Sequence, residues 1–147
     1  LNKNIRMEDL MYNGDYLKPA ALFIGRFQPP HKGHMWLFEQ KLNQGIPVLI
    51  AIRDIEPDQK NPLYAKQVQM LWKKIYKGKN VEVITIPDIE SVNWGRGVGY
   101  QTIEHIPPDD ICNISATQIR EFIKEGSENW KSVVDETIHE DIQMLLS

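Results

Sequence analysis

The apolar run Ala20 to Ile24 stops at Gly25, and a second run, Ile46 to Ile52, is broken only by Pro47 near its start. Runs this short and this continuously apolar read as strands buried on both faces of a parallel sheet. Val81 to Ile86 alternates apolar with polar residues and supplies a third strand.

Helical spacing fills the intervals. Met35, Leu37, Phe38 and Leu42 form an inward stripe closed by Gly45, and Pro62 opens a long helix whose Val68, Leu71, Trp72 and Ile75 face a core and which Gly78 ends. Met70 and Trp72 are read as packing residues. Ile138, Ile142, Leu145 and Leu146 mark a final amphipathic helix. Strands alternating with helices imply an α/β fold: a Rossmann-like doubly wound parallel sheet with right-handed crossovers, in a single domain with C-terminal helices. The chain has 147 residues, 41% of them hydrophobic, enough for one core. Residues 1–18 are polar and aperiodic, an arm or short helix lying on the body; residues 19–147 are the domain.

The segment Gly25 to His34, GRFQPPHKGH, follows the first strand directly. Gly25 lets the chain turn, and Pro29 and Pro30 place a helix start at or just after His31. There the first backbone N–H groups are unpaired and the peptide dipoles leave partial positive charge, which attracts phosphate. His31 and His34, one turn apart, can hydrogen-bond oxygens of one phosphate; Lys32 adds charge and Gly33 room for close approach. Taken alone, two histidines at a helix start are as readily solvated polar residues.

Near the other end, Ser115 and Gln118 have capping-box spacing, so a helix opens there and runs through Phe122 and Ile123 to Gly126. Arg120, one turn in, can reach back to phosphate oxygens with a planar guanidinium. The alternative is a plain helix cap. A zinc site would need further ligands beside the two histidines, and the chain offers only Cys112, His105 and His139 elsewhere. The glycines of Asn93 to Tyr100, NWGRGVGY, do not fit GxGxxG, do not follow the first strand and open no evident helix, which excludes a nicotinamide-dehydrogenase fingerprint. Arg53 and Asp54 leave the second strand at the edge where parallel sheets place ligands; a solvated ion pair accounts for them equally well.

His31-Lys32-Gly33-His34 and Ile114 to Arg120, ISATQIR, in that order, resemble the two signatures of the HxGH nucleotidyltransferase superfamily. GRFQP before HxGH is closest to its archaeal-type nicotinamide mononucleotide adenylyltransferases, as are Asn61-Pro62, Pro87-Asp88-Ile89-Glu90 with Trp94, and Asn129 to Val133. The resemblance covers most of residues 20 to 146. It implies transfer of AMP from ATP to nicotinamide mononucleotide with release of pyrophosphate, or, as an alternative, cytidylyl transfer to a phosphorylated alcohol. A non-catalytic nucleotide-binding module would be a third reading. The resemblance implies that His31, His34 and Arg120 are catalytic, that Gly25, Arg26, Phe27, Lys32, Gly33, Ser115 and Thr117 join Arg120 in binding the nucleotide, and that Asn93 and Trp94 bind the acceptor. Mg²⁺ would be held mainly by substrate phosphates, without a protein metal site. The branch has a longer stretch between its tryptophan and ISxT, including a strand that helps bind the base. Only Gly95 to Asn113 spans that gap here, so Arg96 and Tyr100 are candidates for base contacts.

A net charge of −3 argues against nonspecific nucleic-acid binding, which needs a basic surface. The expected partners are therefore a nucleoside triphosphate, ATP preferred, and a small phosphorylated acceptor, with no membrane; a homo-oligomer is compatible with the sequence. One cysteine excludes an internal disulfide, and with neither a signal-peptide pattern nor a spanning run the expected location is cytoplasmic. Leu1 in place of methionine suggests a trimmed start, or one domain of a bifunctional protein.

Overall fold

The computed structural model describes residues 18–147; the arm expected over residues 1–18 lies, but for Lys18, outside the described residues. Three parallel strands, β1 (Ala21–Gly25), β2 (Val48–Asp54) and β3 (Val81–Pro87), stand in the order β1-β2-β3. Helix α1 (Lys32–Leu42) connects the first pair and α2 (Ala65–Ile75) the second. A short α3 (Asp109–Cys112), α4 (Ala116–Lys124) and α5 (His139–Leu146) follow, with 3₁₀ turns at Lys131–Val133 and Glu136–Ile138 before α5. The fold is α/β and Rossmann-like, as the strand and helix periods imply. No described helix is long and apolar enough to cross a membrane.

Register decides which face carries the core. Phe23 lies beside Ile50 and Ile50 beside Val83, so these three share a face with Val48, Ile52 and Val81. On that face they meet Phe38 of α1, Val68, Leu71 and Trp72 of α2, Ile119 and Ile123 of α4, and Ile138 and Ile142. Burying such aliphatic side chains stabilises the fold by about 1.5–3 kcal/mol each.

The opposite face carries Leu22, Ile24, Leu49, Ala51 and Ile84. Leu22 is 51% exposed and Ile24 37%. This corrects the reading of β1 as buried on both faces. Among the described residues the sheet winds to one side of β1 only, the helices gather on the first face, and no strand adds to the outer edge of β1. The 21-residue segment between β3 and α3, where the resemblance would put another strand, is irregular, and every residue from Pro87 to Glu104 is exposed.

Helix ends also differ from their expected places. The second helix begins at Ala65 rather than Pro62, because Asn61 to Leu63 is held in a loop, and it ends at Ile75, three residues before Gly78. Helix α1 ends at Leu42; Gly45, at φ +75°, then lets the Ile46 and Gly45 N–H groups return to the Lys41 and Leu42 carbonyls. Met70, expected to pack, is 47% exposed, whereas Trp72 is fully buried.

Candidate active site

The loop between β1 and α1 leaves the C-terminal edge of the sheet, and its first turn is set by a ring. Phe27 has φ +55°, an unusual backbone for a bulky residue. Its ring meets His34, Phe38 and Trp72 edge to face at 4.9, 5.9 and 5.5 Å. A Cβ on Gly25 would lie 2.8 Å from that ring, so Gly25 is needed for Phe27 to fold inward. Phe27 thus supports His34 from beneath.

His31 does not enter the helix. It is the N-cap, with extended backbone, and its Nδ1 accepts the Gly33 N–H at 3.0 Å while His34 Nδ1 accepts the His31 N–H at 3.2 Å. The two imidazoles close a reciprocal capping box, and their rings stack with centroids 3.6 Å apart. Because backbone N–H groups only donate, both Nδ1 atoms must accept, and the proton of each neutral ring sits on Nε2. Burial lowers His31 to about 4, and burial followed by the charge of His31 holds His34 well below its ordinary value. At neutral pH the pair therefore offers two uncharged Nε2–H donors. The room expected beside Gly33 is taken: a Cβ there would stand 2.7 Å from His31 Cε1. Gly33 makes space for the imidazole.

The second motif arrives from α4. Ser115 is its N-cap and accepts the Gln118 N–H at 3.3 Å, which starts the helix so that Thr117 and Arg120 share a face. Arg120 Nη1 donates to the Gln28 carbonyl at 2.6 Å and Nη2 to Thr117 Oγ1 at 3.3 Å. Arg120 of the second motif thus reaches the loop that precedes the histidine pair, 92 positions away. Arg26 donates to the Ile55 and Glu56 carbonyls, 3.4 Å each, and Lys32 is exposed on the first turn of α1. Positive side chains and two imidazole donors thus border one end of the sheet, above two helix N-termini.

Sequence reasoning gave Gln28 no role. It is 5% exposed, and its side chain accepts the Leu63 N–H at 2.8 Å and donates to the Leu63 carbonyl at 3.1 Å and the Arg26 carbonyl at 3.3 Å. The one signal available was an amide residue sitting between a strand and two prolines, where a loop would ordinarily be solvated. Arg53 pairs with Asp88 across the strand ends at 3.1 Å, not with Asp54. Asn93 and Trp94 lie on the exposed segment after β3, Asn93 donating to Ser91 Oγ at 2.9 Å and Trp94 meeting Tyr100 edge to face. Their contacts are with loop neighbours rather than with the histidines.

His105 stacks on Phe23, and His139 Nε2 faces the Lys131 and Val134 carbonyls at 3.1 and 2.8 Å. Cys112 is exposed. Among the described residues no three histidine, cysteine, aspartate or glutamate side chains are grouped to hold a metal ion.

The cytidylyltransferase-like family model matches residues 22–137, from β1 to the turn before α5. A nicotinamide-nucleotide adenylyltransferase of Caldivirga maquilingensis is 27% identical over 114 residues, 72% of this chain and 62% of that protein. One from Pyrobaculum aerophilum is 26% identical over 150 aligned residues, 80% of this chain and 84% of that protein. The nicotinamide/nicotinic acid mononucleotide adenylyltransferase of Acinetobacter baylyi is 40% identical over 63 residues, 42% of this chain and 31% of that protein. The chain thus spans from under a third to more than four fifths of these relatives.

Proposed function

Because this chain belongs to the cytidylyltransferase-like family, we propose that it is a nucleotidyltransferase that moves AMP from ATP to nicotinamide mononucleotide and releases pyrophosphate. The observation that carries the reading is the contact of Arg120 with the Gln28 carbonyl, which brings the arginine of ISATQIR against the loop of the histidine pair. Two relatives spanning most of this chain, both named nicotinamide-nucleotide adenylyltransferases, support the acceptor.

In this reading the acceptor phosphate attacks the α-phosphorus of ATP in line and pyrophosphate leaves, with no covalent enzyme intermediate. Charge on the transferring group is met by hydrogen bonds from His31 and His34 Nε2–H, both held in one tautomer by backbone N–H groups. Arg26, Lys32 and Arg120 offset the triphosphate charge, and the α4 N-terminus with Ser115 and Thr117 receives the outer phosphates. Gly25, Phe27 and Gly33 act beneath, by letting the two imidazoles stack where they do. Asn93 and Trp94 receive the acceptor, Trp94 through its exposed ring face. ATP is taken as its Mg²⁺ complex, the ion held by phosphate oxygens and water. The enzyme works in the cytoplasm.

Cytidylyl transfer is the second reading, favoured by the absence of a strand between β3 and α3, where the adenylyltransferases place base contacts. Pyrophosphate release measured with ATP and CTP against nicotinamide mononucleotide and a set of phosphorylated alcohols separates the two. Release is expected with ATP and nicotinamide mononucleotide. Release only with CTP would overturn the first reading, and no release with any pair would leave a nucleotide-binding module.

A further inference from the structure

We propose that Gln28 is a positioning residue of the nucleotide site, its side-chain amide fixing the loop after β1 so that its own carbonyl is aimed at Arg120. The inference rests on the reading of this site as one that binds ATP.

Between β1 and α1 the chain makes no sheet ladder, yet it must hold a charged side chain delivered by a distant helix. Gln28 substitutes for the missing ladder. Its amide meets both backbone groups of Leu63, accepting the N–H at 2.8 Å and donating to the C=O at 3.1 Å, much as a neighbouring strand would. The second amide hydrogen has the Arg26 carbonyl at 3.3 Å, so both donors and the acceptor of the side chain are used. Leu63 itself is buried, which anchors the amide to the core instead of to a mobile surface. With the side chain fixed, the backbone carbonyl of the same residue points to Arg120 Nη1 at 2.6 Å, a short charge-assisted bond. Nη2 is turned to Thr117 Oγ1, so the plane of the guanidinium is determined by two contacts. The Gln28 side chain lies below this layer, buried, and acts on ligand only through Arg120 and the loop.

Gln28→Met keeps the shape and removes the hydrogen bonds, leaving both Leu63 backbone groups buried and unpaired. Gln28→Glu keeps an acceptor for the Leu63 N–H, but its carboxylate faces the Leu63 and Arg26 carbonyls without a donor; protonation returns one donor. ATP affinity, measured by titration calorimetry, needs no turnover. Gln28→Met and Arg120→Lys are each expected to weaken ATP binding at least about tenfold, and the double variant to be no more than about threefold weaker than the weaker single, because the two act through one contact. Wild-type affinity in Gln28→Met, or single effects that multiply in the double variant, would overturn the proposal. Should Gln28→Met not fold, Gln28→Glu gives an independent reading: its affinity relative to wild type is expected to recover as pH falls from 8 to 5.5, whereas an unchanged ratio counts against the role. Wild-type protein that binds ATP but releases pyrophosphate with no acceptor removes the adenylyl-transfer reading and leaves this inference to the cycle. Protein that does not bind ATP removes both.

Discussion

At the scale of single residues the candidate site presents two imidazoles whose burial keeps them uncharged at neutral pH. His34→Ala is expected to lower the rate of pyrophosphate release by at least about a hundredfold, the usual size of a lost transition-state hydrogen bond, with an unchanged circular dichroism spectrum. A variant with near-normal turnover would remove His34 from the chemistry. Gly33→Ala tests the packing beneath: its Cβ would overlap His31 Cε1 at 2.7 Å, so the ring must leave its cap, and ATP affinity should fall while the helix persists. The same burial makes a stability statement. His31 has its folded value lowered to about 4 from 6.5, so between those values the unfolded chain binds the extra proton. Its contribution is fully present above pH 6.5 and is lost as pH falls through that window, by about 3 kcal/mol at most; His34 acts in the same direction. Melting temperature plotted from pH 7 to 4 should therefore decline less in His31→Gln than in wild type, and equal slopes would refute the coupling.

At the scale of elements, Ser115 is the start signal of α4 and holds the turn from which Thr117 and Arg120 project. Ser115→Ala should cost about 1 kcal/mol in urea denaturation, as a lost N-cap, and raise the KM for ATP. Much of this level was legible in the sequence, because apolar runs, helical spacing and the Ser115 cap are local signals. HKGH and ISATQIR marked the two segments of the candidate site through their family resemblance, since each taken alone also reads as an ordinary helix start. Three things were not legible. The helix start just after His31 was legible, but the reciprocal capping by the two imidazoles was not, because it depends on the ring geometry that Gly33 permits. Gln28 bonds to Leu63, 35 positions away, and no local pattern announces a long-range amide contact. The start of α2 slipped from Pro62 to Ala65 because that same contact holds the preceding residues in a loop.

At the scale of the whole molecule, one face of the sheet carries the core and the other leaves Leu22 and Ile24 accessible, which apolarity alone could not reveal. Leu22→Thr is expected to change unfolding free energy by less than about 1 kcal/mol, whereas Ile50→Ala, at the centre of the buried face, should cost about 2–5 kcal/mol. Equal losses in urea titrations would mean that the outer face is covered. The strands are neighbours in chain order, β1 beside β2 beside β3, so each pairing closes a short βαβ unit, while the bond from Arg120 to Gln28 closes across 92 residues. The three strands lie within the first 90 or so residues, but the core on their buried face is completed by Ile119, Ile123, Ile138 and Ile142 from beyond them. Core closure and assembly of the proposed phosphate clamp are therefore one event: the docking of α4 that buries Ile119 and Ile123 also carries Arg120 to the Gln28 carbonyl.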